Sequence, residues 1–547
     1  MFVRIKTTPN SPRKSVQLVE SVRDGSKVKQ RIVRHVGIAM DDQELEQLKD
    51  LAEHIKSKIE SEKQPSLFSP EKLANMSIEG RKNEEKETML VDLKKLKEEQ
   101  RTIVGIHEIY GSIYQEIGFD SILQKKNADL LRHIVMARIA NPLSKRGSVI
   151  DLEQNFGISL NLDRVYQMMD KLDENACDHI QKAIFSTTKE IFGGKIDIIF
   201  LDATTVYFES FTEDTLKQNG YSKDLKFNQP QILLALLVTK QGLPIGYEVF
   251  PGSTYEGHTL LPLLERVQKR YEIDKVVFVA DSAMFNEANM TLLEEAGYEY
   301  VIGARLRSLS QTRKAEILDR SRYHPSHEID EDKISLCELP HGDRRLIVSH
   351  SSQRAKKDEY DRKKAVESLL KKLQKNKKPS QLMSNHGYKK FLTIEGDSTI
   401  VLDELKIAEA SKWDGLHGII TNSKLSAAEL LTQYRGLWQV EESFRVTKHD
   451  LKVRPIFHWT PSRIRAHIAI CFMAFSCVRC LEYRTALQYE KLSPERIRRA
   501  LIQVQVSILR HSNGNRYAIP SEVSQEARKI YQLMGKKYST TPYQLAI

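Results

Sequence analysis

Cysteine is scarce in this 547-residue sequence, which contains five cysteines: Cys177, Cys337, Cys471, Cys477 and Cys480. Their number is odd, and they lack the two closely spaced pairs that a four-cysteine zinc site requires. The sequence therefore predicts neither a disulfide framework nor a structural zinc site. A reducing, cytoplasmic setting fits this pattern.

Long apolar runs are also missing. We recognise no targeting leader, in which charged residues precede an apolar stretch. Its longest apolar run, at 468–478, is too short to span a bilayer. We therefore expect this run to form a buried helix, and we expect no membrane partner.

Acidic residues are outnumbered, with 73 Asp and Glu against 84 Lys and Arg, which gives a net charge of +11. The excess is concentrated in two regions. Residues 305–379 contain 20 basic and 12 acidic side chains, and residues 461–511 contain nine and three. A basic balance favours a polyanionic partner, and these two regions are the predicted polyanion-binding surfaces.

The chain is long for one hydrophobic core, and two to four domains are expected. Changes in composition and periodicity suggest the boundaries. The expected organisation is an N-terminal β-rich segment plus helix (1–61), a linker (62–105), a helical module (106–193), the first part of an α/β core (194–304), an inserted β-rich and basic domain (305–413), the second part of the core (414–460) and a C-terminal helical region (461–547).

The helical module at 106–193 consists of short apolar-periodic segments joined by basic turns. Short helices of this kind suit a DNA-binding module. A plain helical bundle explains the pattern equally well, because no spacing in this region is diagnostic of a three-helix DNA reader.

Two β-branched apolar runs end in an aspartate. KIDIIFLD ends at Asp202, and DKVVFVAD ends at Asp281. Two apolar runs around Gly242 predict a β-hairpin between them, so the order is strand, hairpin, helix, strand, helix, strand. An aspartate that closes a strand is more often a helix cap or turn residue than a ligand. Neither position is therefore decisive alone.

The segment 434–448, YRGLWQVEESFRVTK, predicts one helix with a polar stripe. At about 100° per residue, Tyr434, Trp438, Glu441, Arg445 and Lys448 lie within about 40° of one line. The apolar residues form a second stripe, so the helix can bury one side and display the other. A solvated surface helix carries such charges about as often as a helix of a functional site does. Only the presence of the two aspartates elsewhere in the sequence favours a site.

Together these motifs resemble the RNase H-like catalytic domain of DDE transposases, in which one Asp lies on the first strand, a second follows the fourth strand and a Glu projects from a later helix. The chain is similar to transposases of the bacterial insertion-sequence-four superfamily, whose glutamate helix has a Tyr, Arg, Glu, Lys signature. Tyr434, Glu441 and Lys448 match by spacing, whereas Leu437 occupies the Arg position beside Arg435. The segments FRVTKHDL and RPIFHWTPSRIRAH resemble the sixteen-thirty-four branch.

The resemblance implies an α/β fold: an RNase H-like mixed-sheet catalytic core with a β-rich insertion, flanked by an N-terminal helical module and a C-terminal helical region. It also implies that Asp202, Asp281 and Glu441 are the catalytic residues and metal ligands. Phosphoryl transfer develops negative charge on the attacking and leaving oxygens, and two divalent cations neutralise both. Mg²⁺ needs only a few carboxylates and shares its other positions with water and phosphate. We expect two Mg²⁺ ions per site, replaceable by Mn²⁺.

Four residues of the glutamate helix are predicted to bind DNA. Lys448 and Arg445 are placed to hold the backbone by charge-assisted contacts, and Tyr434 to bond a phosphate. Trp438 can stack on a base or pack against the sheet, and packing is favoured. In the insertion, the basic run at 354–378 is either a solvated helix or a DNA backbone contact.

The predicted function is that of an insertion-sequence transposase, which cuts and joins double-stranded DNA at the terminal inverted repeats of its element and at a target. A catalytically silent, transposase-derived DNA-binding protein is the alternative. A general RNase H-like nuclease is disfavoured by the long insertion and the basic flanks. Because one site handles one end, we expect a DNA-bound homodimer in the bacterial cytoplasm, associated with the nucleoid.

Overall fold

The computed structural model describes residues 1–7, 13–24, 27–63, 69–75, 77–78, 91–209, 211–220, 228–271, 276–282, 287–325, 334–375, 390–395 and 399–545. These residues form two compact units, Met1–Leu96 and Lys97–Ile547. All three carboxylates of the predicted site belong to the second unit.

The first unit is a three-stranded antiparallel sheet with one long helix. The strands are β1 (Phe2–Thr7), β2 (Lys14–Asp24) and β3 (Lys27–Ala39), in that order across the sheet, and the helix is α1 (Asp42–Lys63). The Asp41 carboxylate accepts a hydrogen bond from the Glu44 N–H at 2.8 Å, which caps the start of α1. The apolar stripe of α1 packs on one face of the sheet and gives the unit a small core of its own.

The second unit contains both helices and strands. Its described strands are β4 (Leu96–Ile103), β5 (Ile198–Tyr207), β6 (Gln231–Thr239), β7 (Pro244–Pro251), β8 (Val277–Ala280), β9 (Glu299–Gly303), β10 (His324–Pro325), β11 (Ile334–His341), β12 (Arg344–Ser351), β13 (Leu392–Glu395), β14 (Thr399–Leu402), β15 (Leu416–Thr421), β16 (Gln505–His511), β17 (Arg516–Pro520) and β18 (Tyr543–Gln544). Its described helices are α2 (Gly105–Glu116), α3 (Lys125–Ala140), α4 (Lys145–Phe156), α5 (Leu162–Met169), α6 (Glu174–Ile191), α7 (Leu260–Tyr271), α8 (Glu287–Glu295), α9 (Gln311–Leu318), α10 (Ser352–Lys375), α11 (Glu404–Ser411), α12 (Ala427–Arg435), α13 (Trp438–Arg445), α14 (Pro461–Gln488), α15 (Pro494–Ile502) and α16 (Gln525–Leu533).

Helices α2–α6 fill the region 105–191, where the sequence predicts a helical module. Three of them start at side chains that accept a hydrogen bond from the backbone N–H three residues on, namely Ser144, Asn161 and Asp173. Such caps satisfy N–H groups that have no partner inside the helix. The local sequence therefore determines where these helices begin.

Nine strands form one mixed sheet in the order β10-β11-β12-β15-β9-β8-β5-β6-β7. β5, β6 and β7 are antiparallel neighbours, whereas β8 runs parallel to β5 and β9 runs parallel to β8. A three-stranded antiparallel meander, joined on the side of its first strand by two parallel strands, is the RNase H-like arrangement. The predicted mixed-sheet core is confirmed.

The two faces of this sheet are covered by different helices. On one face, α6, α13 and α14 pack with residues that include Phe200 and Val279. On the other face, α7 and α8 pack with residues that include Leu201 and Phe278. Because successive residues of a strand point to opposite faces, Asp202 shares the α13 face with Phe200.

The inserted region extends the core sheet. Its strands β10, β11 and β12 join the nine-stranded sheet through β15, which pairs with β12 on one side and β9 on the other. Without β15, the core strand β9 would be an open sheet edge. The strands β13 and β14 form a separate two-stranded sheet. The basic run at 354–378 lies on α10 up to Lys375, and its remainder lies outside the described residues.

A four-stranded sheet, in the order β18-β17-β16-β4, differs from the sequence-based expectation. The predicted linker contains β4, although its residues 64–68, 76 and 79–90 lie outside the described part of the chain. The C-terminal region contains β16–β18 as well as helices. β4 is mostly polar, and it is held by contacts from a distant segment, such as the hydrogen bond from Thr102 Oγ1 to the Val506 carbonyl at 3.3 Å. Local periodicity does not reveal such a partner.

Helix α14 is the one described helix that is long and apolar enough to cross a membrane, and 94% of its most apolar window is buried inside the protein. The apolar run at 468–478 lies within it, and every residue of that run is buried. The expected buried helix is confirmed. It forms part of the core that also covers the RNase H-like sheet.

A buried basic cluster joins α4 to α14. The Nζ of Lys145 lies 3.4 Å from Nδ1 of His467, and Nε2 of His467 lies 3.0 Å from the carbonyl oxygen of Val453. The His467 ring is therefore neutral, with Nε2–H as donor and Nδ1 as acceptor. Burial, followed by the nearby charges of Lys145, Arg463 and Arg138, lowers the pKa of the adjacent His458 to about 4.

This cluster predicts a loss of stability in mild acid. The unfolded chain protonates its histidines near the ordinary pKa of 6.5, whereas folded His458 accepts a proton only near pH 4. The contribution of neutral His458 to the free energy of unfolding is complete above pH 6.5 and is lost as the pH falls to 4. The free energy of unfolding falls by at most about 1.4 kcal/mol per pH unit for this one group. The free energy of unfolding can be measured with urea at several pH values. Its slope against pH between 4 and 6.5 should be smaller for His458→Gln than for wild type. His324→Gln, which changes an exposed histidine, is the control, and equal slopes for all three proteins would contradict the assignment.

Candidate active site

The two aspartates lie side by side, but only Asp281 directly follows the end of its strand, because β5 continues past Asp202 to Tyr207. β5 and β8 are parallel neighbours in a register that places Leu201 opposite Ala280. Asp202 and Asp281 are the residues that follow this pair in the two segments. Neighbouring strands are about 4.8 Å apart. Each carboxylate accepts a hydrogen bond from the next backbone N–H, at 2.7 Å for Asp202 and 2.6 Å for Asp281. Asp202 is half-buried and Asp281 is exposed.

Glu441 approaches the same face of the sheet from α13. Val440 and Phe444 on this helix are buried in the core, and the helix packs against β5 and β6. Glu441 itself is exposed. The helix thus buries one side and displays the other, as its two stripes predict.

Tyr434 is a common neighbour of the three carboxylates. Its pKa is raised mainly by burial and then by the negative charges of Asp281, Glu441 and Asp202, while Arg354 opposes them. Its ring packs against His417 at a centroid distance of 4.9 Å. The phenol therefore keeps its proton at neutral pH and can donate a hydrogen bond.

A cavity of about 890 Å³ opens beside this tyrosine. Its lining includes Asp281, Glu441 and Trp438 but, among the described residues, not Asp202. Across the described part of the chain, no three acidic, histidine or cysteine side chains stand close enough to hold a metal ion by themselves. The structure thus brings two of the carboxylates to one cavity and places the third on the adjacent strand.

The predicted DNA-binding residues have different surroundings. The Lys448 ammonium donates to Thr204 Oγ1 at 2.5 Å, two residues beyond Asp202 on β5. Arg445 donates from Nε to a Glu442 oxygen at 2.8 Å, so its guanidinium lies along its own helix. Trp438 was expected to pack against the sheet, but 48% of its surface is exposed, and the Lys491 ammonium lies 5.2 Å from its ring centre.

The glutamate helix is interrupted twice, whereas the sequence predicts one continuous helix over 434–448. Helix α12 ends at Arg435, α13 begins at Trp438, and a π-helical turn, Val446–Asp450, follows. At the first break, a Cβ on Gly436 would lie 2.7 Å from Cζ of Phe200 on β5. The chain passes too close to the sheet for a side chain there. The π turn carries Lys448, and such turns often occur at functional sites.

Sequence reasoning missed two cations of this cavity. Arg354 and Lys357 on α10 line it together with Asp281 and Glu441, and so does Arg435. The basic run of the insertion was visible in the sequence, but its position beside the carboxylates was not. Leu437, which fills the signature Arg position, lines the same cavity as these three cations.

Comparisons with solved structures give low overall similarity. A cryo-EM structure of the piggyBac transposase synaptic complex with hairpin DNA has 10% sequence identity and a TM-score of 0.36, over 73% of this chain and 78% of that chain. The Mos1 transposase paired-end complex with left transposon end has 13% identity and a TM-score of 0.14, over 44% and 70%. No curated protein sequence matches the chain.

Two family models match. The model described as transposase DDE domain matches residues 193–477, more than half of the chain, and includes Asp202, Asp281 and Glu441. The model described as IS1634 family transposase, N-terminal domain, matches residues 3–66. The first match agrees with the RNase H-like strand order, and the second gives the branch. The chain belongs to the DDE transposases, and its N-terminal segment matches the IS1634 branch of that family.

Proposed function

We propose that this transposase cuts and joins double-stranded DNA at the terminal inverted repeats of its own insertion sequence by two-metal-ion phosphoryl transfer. The observation that supports the proposal best is the neighbourhood of Tyr434, whose hydroxyl is acted on by the charges of Asp202, Asp281 and Glu441. A cavity with two of these carboxylates and three cations offers both metal ligands and phosphate ligands in one place.

A DDE transposase domain implies dependence on a divalent metal ion. The donor set suits Mg²⁺, because carboxylate oxygens are its preferred protein ligands and a few suffice when water and phosphate complete the shell. Asp202, Asp281 and Glu441 would hold two Mg²⁺ ions, or Mn²⁺ in their place. When bound, such ions neutralise charge on the attacking and leaving oxygens.

The protein's own groups would then orient the DNA. Tyr434, kept protonated by burial and by its acidic neighbours, donates a hydrogen bond to a phosphate oxygen. Lys448, held at β5 by Thr204, supplies a positive charge beside Asp202. Arg354 and Lys357 bring the inserted basic helix to the same phosphates. Arg445 reaches DNA only if it leaves Glu442, and Trp438 is exposed enough to stack on a base.

Two active sites are needed to join two ends to one target, so we propose a homodimer that DNA bridges. The net positive charge opposes self-association until a polyanion neutralises it. The basic regions 305–379 and 461–511 provide contacts outside the catalytic core, and the helical module 106–193 is a further DNA-binding candidate. The enzyme would act in the bacterial cytoplasm, on the DNA of the nucleoid.

The test uses the full-length protein and duplexes that carry the two ends of the element, taken from the DNA that flanks its reading frame. With Mg²⁺, we expect cleavage at the element ends, none after chelation by EDTA, and two chains per DNA complex by light scattering. A duplex of the same length with a scrambled end is the control. Binding without cleavage in Mg²⁺ or Mn²⁺ would favour the silent DNA-binding alternative, and equal cleavage of the scrambled duplex would favour a general nuclease.

Gly436→Ala tests whether the close contact between the glutamate helix and β5 determines the position of Glu441. The added Cβ would lie 2.7 Å from the Phe200 ring, two residues before Asp202, and 3.0 Å from the Gln433 carbonyl oxygen, so the ring or the start of the helix must shift. We expect cleavage to fall roughly 10- to 100-fold, because displacements of this size disrupt alignment of the reacting groups. Gly535→Ala, just after α16, where an added Cβ meets nothing within 4 Å, should leave the rate of the folded enzyme unchanged. Equal rates for both variants would show that the contact does not position Glu441.

A further inference from the structure

The segment that follows the glutamate helix exposes two large aromatic side chains. Phe457 and Trp459 have 59% and 70% of their surfaces exposed. His458, between them, turns inward, and its ring centre lies 5.5 Å from that of His467. The two outer rings are therefore on the solvent side of the segment. Exposed apolar side chains that stand alone are ordinary, whereas neighbouring ones mark an interaction surface. We call Phe457 and Trp459 the aromatic surface.

A buried cation connects the aromatic surface to the end of β5. The Lys217 ammonium lies 5.8 Å from the Trp459 ring centre and 5.7 Å from that of Phe208, the residue after β5. These are distances of cation–π contacts. Lys217 is only 4% exposed, and it also pairs with Asp214 at 3.3 Å. The indole ring is therefore held in place beside the strand that carries Asp202.

The chain around the aromatic surface is positively charged. Residues 451–467 contain four basic and no acidic side chains, and Lys452 among them is exposed. The neighbouring loop, 208–217, contains three acidic side chains. Asp214 accepts hydrogen bonds from two backbone N–H groups of that loop at 2.7 Å, and Glu213 accepts one from the Asn219 N–H at 2.5 Å. Two of the three acids thus serve the fold of the loop, and the surface favours an anionic partner.

The aromatic surface and the cavity beside Tyr434 lie on opposite sides of the carboxylates in the order of the sheet. The cavity is lined by residues of β12 and β15, which lie beyond β8 and β9. The Phe208 N–H donates to the Pro230 carbonyl at 2.8 Å, just before β6, which lies on the other side of β5. Phe208 is six residues beyond Asp202, or about 20 Å along an extended strand.

We propose that Phe457 and Trp459 bind the target DNA by stacking on unpaired bases about six nucleotides from the phosphate that reacts. Aromatic side chains beside cations bind unpaired bases of any sequence, and successive nucleotides of a strand are about 3.4 Å apart. The target is the occupant because the cation-lined cavity on the other side of the carboxylates already serves the element end. The inference rests on the proposed function, and it names the surface that takes the second DNA.

The first experiment separates joining from cleavage with the full-length protein and Mg²⁺. Joining is measured with element-end duplexes that are already cut and a supercoiled plasmid as target, and cleavage is measured with uncut duplexes. Trp459→Ala should reduce joining about 10-fold and leave cleavage close to wild type, because it removes one stacking ring. Trp459→Phe keeps a ring and should join within about two-fold of wild type. Tyr543→Ala, which removes an exposed ring from β18, is the matched control and should change neither rate.

The second experiment maps where joining occurs. The target is a linear duplex with a short mismatched stretch, because mismatched bases cost less to unstack. Wild-type protein and Trp459→Phe should join the element ends preferentially about six nucleotides from the mismatch. Trp459→Ala should join them without this preference. Phe457→Ala repeats both measurements at the neighbouring ring, so the test holds even if Trp459→Ala proves unstable in urea.

Unchanged joining and an unchanged preference for the mismatch in both alanine variants would overturn the inference and leave the proposed function standing. A wild-type protein that neither cuts nor joins element ends would overturn both. Alanine variants that remain folded but lose cleavage, joining and the two-chain complex in light scattering together would assign the aromatic surface to a second copy of the chain, which also overturns the inference.

Discussion

Asp202→Asn, Asp281→Asn and Glu441→Gln should each reduce cleavage of the element-end duplex by roughly 1,000-fold or more, as expected when one member of a catalytic group that acts as a unit is removed. These substitutions keep the shape of the side chain and remove the charge that would hold a divalent cation. Binding of DNA without metal should be unchanged or tighter, because a carboxylate next to a phosphate is repelled by it. Cleavage assays and binding assays on the same preparations separate the two effects.

Glu442→Gln is the matched control for Glu441→Gln. Glu442 is the next residue of the same helix, but it points about 100° away and pairs with Arg445. Its substitution should leave the cleavage rate close to wild type. Asp281→Cys adds a test of the metal-ligand role, since a thiolate binds Mn²⁺ better than Mg²⁺. Restored cleavage in Mn²⁺ alone would support ligation, whereas an active Asp281→Asn enzyme would remove Asp281 from the site.

Arg479→Met should cause the largest loss of stability among single charge substitutions. Arg479 and Glu482 form a buried ion pair on α14, with only 5% and 6% of their side-chain surfaces exposed. The guanidinium also donates to the Gly242 carbonyl at 2.9 Å and the Gln241 carbonyl at 3.1 Å, which holds the turn between β6 and β7. Burial raises the pKa of Glu482, and Arg479 opposes this effect.

Removing Arg479 leaves a buried carboxyl group and two carbonyls without their partner, at a cost of about 3–5 kcal/mol. Urea unfolding gives this difference directly. The double variant Arg479→Met with Glu482→Leu should recover part of the loss, because it no longer buries an unpaired acid. Arg101→Met, in an exposed pair with Glu98, should cost less than about 1 kcal/mol. A similar small loss for Arg479→Met would mean that solvent reaches the pair in solution.

Much of the catalytic core was predictable because the sequence patterns that indicate its strands and helices lie within single segments. Asp202 and Asp281 follow β-branched apolar runs, and such runs form buried strands, although β5 continues past Asp202. Glu441 lies at a helical spacing from Val440 and Phe444 that exposes it when they are buried. Apolar residues alternate along a half-buried strand and recur with the helical period along a helix. Their spacing shows which side of each element faces the core, so these faces could be predicted.

The pairing of Arg445 was also within reach of the sequence. Glu442 precedes it by three residues, a spacing at which opposite charges meet on a helix surface. The prediction that Arg445 contacts DNA rests only on the attraction between its guanidinium and a phosphate. The interruption at Gly436 was not predictable, because the reason for it is the ring of Phe200, which lies on a strand more than 200 residues earlier.

The sequence by itself determined the family signature and the succession of strands and helices in the core, because both are local features of successive segments, whereas the RNase H-like sheet and the predicted site residues were what the family resemblance implied. Only the tertiary structure decided that β15 covers the edge of β9, that β4 joins β16, and that α10 brings Arg354 and Lys357 to the carboxylates. These features are pairings between distant segments. A segment's composition determines how much surface it must bury, but which partner buries that surface depends on the packing of the whole chain.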